Sequence, residues 1–233
     1  MTGTTTRTLK AFDEDFEQLR ARIAEMGGLA EVAVEQSMRA LIQRDHALAA
    51  SVVAADKRID TIEEEVEQSA VQLIALYAPV AEDLREVVAT LKISGVVERI
   101  GDYARNIARR VPVIEDVGTI NPLSSLPAMA RIAAEMVHDA LDAFVARDAA
   151  KAILVCQRDD AVDAFYDSIF RTLLTYMSEH QPGITPATHL LYIARSLERI
   201  ADHATNVAEM VHFAATGRRV EERDGDAMPE AAR

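Results

Sequence analysis

Eleven residues, Glu98 to Ala108 (ERIGDYARNIA), recur one hundred positions later as Glu198 to Ala208 (ERIADHATNVA), with seven identities. Self-similarity at a fixed offset makes the chain two copies of one folding unit. Core positions in duplicated helices ordinarily stay apolar while drifting in identity. Here a glutamate, an aspartate and an asparagine are kept at spacing four. Glu98, Asp102 and Asn106, with Glu198, Asp202 and Asn206, are therefore the positions a functional reading has to explain.

Pro and Gly punctuate the chain sparsely, and the stretches between them are rich in helix formers. They predict helices from Thr6 or Thr8 to Arg44, Asp45 to Leu76, Ala81 to Val111, Ala128 to Arg147, Asp148 to His180 and Pro186 to Thr216. The Gly27–Gly28 pair is expected to kink the first. An offset of 103 aligns Asp56 with Asp159 and Asp60 with Asp163, so the repeat extends to the preceding helix of each unit. The expected fold is all-α: a three-helix bundle over residues 1–115, a linker at 116–127, and a second bundle over 128–216. Residues 217–233 carry nine charges, and their apolar residues trace no stripe, which reads as a disordered tail.

A net charge of −13 argues against a nucleic-acid partner, because phosphate backbones need clustered cations, and it disfavours anionic lipid surfaces. Cys156 is the single cysteine, which excludes a disulfide framework or a cysteine-based zinc site within one chain. The N-terminal stretch lacks an apolar signal core, and no run approaches the ~20 apolar residues that span a bilayer. A soluble, cytoplasmic protein is expected.

With ~100° per residue, Asp102 and Asn106 fall about 40° and 80° from Glu98, almost opposite the apolar arc of Ile93, Val97, Ile100 and Ile107. The wheel thus predicts acids on the outside of the bundle. The preceding helices add Asp56, Asp60 and Glu64, matched by Asp159, Asp163 and Asp167. Rows of like charge destabilise a helix slightly, so two facing rows need solvent or a cation. Oxygen-only donors suit hard or borderline cations: Mg, Ca, Mn, Fe or carboxylate-bound Zn. Such rows are also commonly just a solvated face. The metal-ligand set predicted here is Asp56, Asp60, Glu98, Asp102, Asp159, Asp163, Glu198 and Asp202, with Glu64, Asn106, Asp167 and Asn206 as weaker members.

Elsewhere the chemistry is thin. Glu135 and His138 form an ExxH half-motif, but the first copy has Glu35 in place of the histidine. His203 has Tyr103 as its counterpart, and His46, His180, His189 and His212 are expected at the surface. No Gly-rich phosphate loop, nucleophile elbow or Cys–His pair appears, so no enzyme activity is expected. A carboxylate-bridged di-metal enzyme and a metal-free helical scaffold stand as the alternatives.

The tandem E-R-I-x-D-x-A-x-N-[IV]-A and the segment Pro79-Val-Ala-Glu-Asp-Leu-Arg85 resemble the PhoU family of bacterial phosphate-signalling proteins. That resemblance implies two three-helix bundles related by a pseudo-two-fold axis, dimerisation, and a cytoplasmic accessory of a phosphate ABC transporter. The implied partners are the transporter ATPase subunit and a phosphate sensor histidine kinase, kept repressing when phosphate is plentiful. Iron or zinc clusters are implied on the E/DxxxD pairs. The second copy departs by lacking the Asp-Leu-Arg segment. It also carries Asp160 opposite Lys57, making its cluster the more acidic.

Overall fold

The computed structural model describes residues 2–114 and 125–220, with side chains from Lys10 onward. Most of the predicted linker and most of the predicted tail lie outside the described residues. Among the described residues seven α-helices run in order: α1 (Thr2–Gln43), α2 (His46–Tyr77), α3 (Ala81–Ala108), α4 (Leu126–Ala146), α5 (Ala149–Cys156), α6 (Asp159–Glu179) and α7 (Ile184–Thr216). No strand occurs among the described residues.

The duplication is visible in the turns. Asp45 caps α2 by accepting from the Leu48 amide at 2.9 Å, and Asp148 caps α5 by accepting from Ala150 and Lys151 at 2.9 and 3.0 Å. Before each aspartate stands an arginine at φ 54°, Arg44 and Arg147, which reverses the chain. The amides of Asp45 and Asp148 then return to Ala40 and Ala143 at 2.9 Å, satisfying carbonyls the preceding helix leaves free. Position by position, the same turn is built twice.

One sequence expectation needs correction. The predicted helix Asp148 to His180 is broken at Gln157–Arg158 into α5 and α6. The Arg158 amide bonds back only three residues, to Val155, while its guanidinium reaches Asp139 and Glu135 of α4, each at 2.7 Å. Helix α1 is continuous through Gly27–Gly28. A Cβ on Gly27 would lie 2.5 Å from Leu141 Cδ1, so the missing side chain serves close packing of α1 on α4.

Helices α3 and α7 form the centre. Each packs within its own bundle and against the other, while α2 lies over α3, and α5 and α6 lie over α7. The repeat-equivalent rings of Tyr103 and His203 meet at 5.5 Å, which places the pseudo-two-fold axis between them. The core is aliphatic, with Ile93, Ile100 and Ile107 of α3 and Ile193, Leu197 and Ile200 of α7 all within 1 % of full burial. At about 25 cal/mol per Å² of apolar area removed from water, such residues supply most of the drive to fold.

Candidate functional site: two carboxylate seams

The acids do not stand on an open exterior. In each unit they line a seam between the central helix and the helix laid over it, and two of them are buried: Asp56 at 4 % exposure and Glu198 at 9 %. A helical wheel sees one helix and its core stripe; it cannot see α2 or α6 descending on the opposite flank. Gly101 admits α2 closely, since a Cβ there would lie 2.8 Å from Ile59 Cδ1 and 3.5 Å from Asp56 Oδ1. The seams do bring the predicted residues of both helices within electrostatic reach. Asp56 is repelled by Asp102, and Glu98 by Asp60. Correspondingly, Asp159 is repelled by Asp202, and Glu198 by Asp163.

Of the weaker candidates, Glu64 and Asp167 point to solvent, the latter 3.5 Å from Arg171. Asn106 is half-buried, and Asn206 approaches His203 Nδ1 at 3.4 Å. Glu63 is the acid the sequence reading missed: it repels Glu98 across the seam. The signal was available, because at 100° per residue Glu63 lies about −20° from Asp56, where Glu64 lies about 80° away. The ExxH pair is dispersed into ion pairs, Glu135 with Arg131 and Arg158, His138 with Glu31. His189, expected at the surface, is half-buried, its Nδ1 3.1 Å from Arg110.

The two seams are neutralised at opposite ends. In the first, Arg105 reaches across to Asp56 and also holds Asp102 at 2.6 Å. Burial opposes the charge on Arg105, yet its bond to Asp56 holds the guanidinium above its ordinary pKa. The far end is left with Glu98, Asp60 and Glu63, and only Arg99 approaches, at 3.9 Å from both Glu98 and Asp102. Burial first, and Asp102 next, push the Glu98 carboxyl above its usual range.

In the second seam Thr205 stands where the first has Arg105, and the cations gather at the other end. Arg195, whose repeat counterpart is Gly95, donates to Glu198 at 2.6 Å and lies 5.4 Å above the Tyr166 ring. Arg199 donates to Asp202 at 2.9 Å. Asp159 is left without a cation. Burial, then repulsion from Asp202 and Asp163, pushes it up to about 6. The Thr205 hydroxyl lies close enough to temper this, but neither it nor Asp159 Oδ1 completes a hydrogen bond of good geometry. Glu198 Oε2 is likewise buried without a donor. Unsatisfied carboxylate oxygens cost roughly 1–3 kcal/mol each, and a cation is what would relieve them.

As arranged, no three His, Cys, Asp or Glu side chains among the described residues converge tightly enough to hold a metal ion. The donor sets differ in how well they would suit one. A cation entering the first seam has to displace Arg105 from two carboxylates. In the second, Arg195 and Arg199 hold Glu198 and Asp202, but Asp159 Oδ1 is buried without a hydrogen-bond donor and without a cation, and Asp163 is exposed at the edge.

A protein of this architecture, twin three-helix bundles sharing a central helix pair, is matched by known proteins along nearly its whole length. The PhoU domain profile matches residues 23–111 and 126–211, and the chain belongs to the PhoU family. A relative from Zymomonas mobilis, a phosphate-specific transport system accessory protein PhoU homolog, is 52 % identical over 216 residues, covering 93 % of this chain and 91 % of its own. One of the same description from Caulobacter vibrioides is 44 % identical over 214 residues, covering 91 % and 93 %. The crystal structure of PhoU from Pseudomonas aeruginosa superposes with a TM-score of 0.86 at 36 % identity, covering 89 % of this chain and all of that one. The phosphate transport system regulatory protein PhoU from Streptococcus pneumoniae gives 0.85 at 28 % identity over 91 % of this chain and all of its own. Among the described residues no helix is long and apolar enough to cross a membrane.

Proposed function

We propose that this chain is a cytoplasmic regulator of phosphate uptake and phosphate-starvation signalling. It acts as a homodimeric adaptor between the ATPase subunit of a phosphate ABC transporter and a phosphate sensor histidine kinase, keeping the response repressed when phosphate is plentiful. The observation that carries this is 52 % identity, across nearly both full lengths, to a relative named as a phosphate-transport accessory protein. An adaptor of this kind needs shape and charge rather than a nucleophile, and its acidic surface favours basic patches on partners.

Within this role the second seam takes a metal ion, iron or zinc or another oxygen-preferring divalent cation, on Asp159, Asp163, Glu198 and Asp202. What supports the assignment is Asp159, a partly buried carboxylate with no counter-cation. A bound ion would supply that charge and tie α6 to α7.

Removing the gene tests the adaptor role. Alkaline phosphatase should become expressed at high phosphate and be silenced again when the chain is returned; continued repression in the deletion strain refutes it. Metal content of untagged protein tests the second assignment. Glu198→Ala with Asp202→Ala should empty the second seam, and protein that is metal-free before mutation would leave a plain helical scaffold.

A further inference from the structure

Among the described residues, Arg147, Lys151, Arg158, Arg195 and Arg199 each hold a carboxylate. Arg85, Lys92 and Arg219 make no ion pair with any described residue, and all three line one groove of about 740 Å³. It lies between the beginning of α3 and the end of α7, reaching Asn206, one helical turn beyond Asp202, and Glu209 is the one acid among its lining residues. Its floor is apolar, with Leu84 and Phe213 exposed at 37 % and 39 % beside Val88 and Met210. The Arg85 Nε is buried without an acceptor. Gly217, at φ 71°, turns the chain so that Arg219 and Val220 close one wall.

The pseudo-two-fold axis supplies a control. By the offset of 100, Ala89, Lys92 and Met210 correspond to His189, Tyr192 and Arg110. There the Arg110 guanidinium lies 4.3 Å over the Tyr192 ring and 3.1 Å from His189 Nδ1. One end of the duplicated helix pair is thus filled by its own side chains while the other is left open, apolar below, with three cations against the single acid Glu209 at the rim. Bundle packing alone does not demand the difference.

We propose that this groove docks a short amphipathic segment of a partner protein, with apolar side chains on the floor and carboxylates against Arg85, Lys92 and Arg219. From Ala81 to Lys92 the wall is about 16 Å long, roughly three helical turns. Helix-in-groove recognition uses apolar anchors at that spacing, and rim charges set which segment is accepted. Residues 221–233 of the chain itself carry acids but bring only Met228 as a large apolar side chain, too little for such a floor. This inference stands on the groove alone and does not depend on the metal or on phosphate signalling.

The test uses the full chain and a fluorescein-labelled amphipathic peptide of about 14 residues, Leu and Phe on one face and Glu on its flanks. Fluorescence anisotropy at ~50 mM salt should show binding despite the protein's overall negative charge, and at least tenfold weaker binding when Gln replaces Glu. Lys92→Glu with Arg219→Glu, both at exposed positions, should cost at least tenfold, and Arg85→Gln should cost affinity without any change in circular dichroism. No binding at millimolar protein, or binding indifferent to Lys92→Glu with Arg219→Glu, overturns the proposal. So does a chain ending at Val220 that binds tenfold more tightly than the full chain, since its own terminus would then be the occupant.

Discussion

Replacing Asp159 by asparagine should make the protein more stable, and only at a pH where the aspartate is charged. The carboxyl is raised from 3.8 to about 6 in the folded chain. A raised carboxylate pKa means that the fold prefers the protonated form. No penalty exists below pH 3.8; it grows between 3.8 and about 6, and is constant above. At about 1.4 kcal/mol per pKa unit the full cost of ionisation is ~3 kcal/mol, and partial access of water to the group brings it to roughly 1.5–3 kcal/mol. Asp159→Asn keeps the shape and removes the charge. In urea denaturation with chelator present, it should gain about 1.5–3 kcal/mol at pH 8 and no more than about 0.5 kcal/mol at pH 4. For a chain of this size that is a rise of roughly 3–10 °C in Tm at pH 8. A stabilisation equal at both pH values, or a loss at pH 8, would refute the argument that an uncompensated charge sits there. With a divalent cation saturating the seam the sign should reverse, because the substitution then deletes a ligand.

The same denaturation assay reads the exchange between the seams: Thr205→Arg should stabilise at pH 8 by giving Asp159 a counter-ion, and Arg105→Thr should destabilise there by about 1–3 kcal/mol, with both effects shrinking towards pH 4. Gly27→Val should cost about 1–3 kcal/mol at every pH, because its side chain meets the buried Leu141, which has to move. Burial holds His203 below its ordinary pKa of 6.5, so its neutral form stabilises the fold at higher pH and that contribution is lost as pH falls through this range. His203→Tyr, the residue at the equivalent position of the first copy, should flatten the stability profile below pH 6.5, measured by chemical denaturation at closely spaced pH values.

Much of the architecture was legible in the residues because it is local. Asp45 and Asp148 announce their caps, Pro79 and the Gln181-Pro182-Gly183 break mark turns, and the repeat of Glu98 to Ala108 declares the duplication. Pairing of the acidic rows followed from offsets of 100 and 103 on adjacent antiparallel helices. The exterior placement of the acids failed, since periodicity within α3 reports its own core stripe and not the burial imposed by α2. Glu64 was chosen over Glu63 by counting in fours, where the helix turns every 3.6 residues. Arg158 broke a helix because carboxylates on α4 reward it from outside its own segment. Arg105 against Thr205, the change that separates the seams, was visible as a substitution; its meaning required knowing that Asp56 lies across from one and Asp159 across from the other.

Helix α7 presents Glu198 and Asp202 to the second seam and, eleven residues beyond Asp202, Phe213 to the open groove at the far side of the axis. An unbroken helix of this length behaves as a lever rather than a string: about 16 Å separate the two stations, and neither slides or rolls alone. Whatever draws the acidic stretch towards α6 also resets the height and tilt of the aromatic ring at the other end.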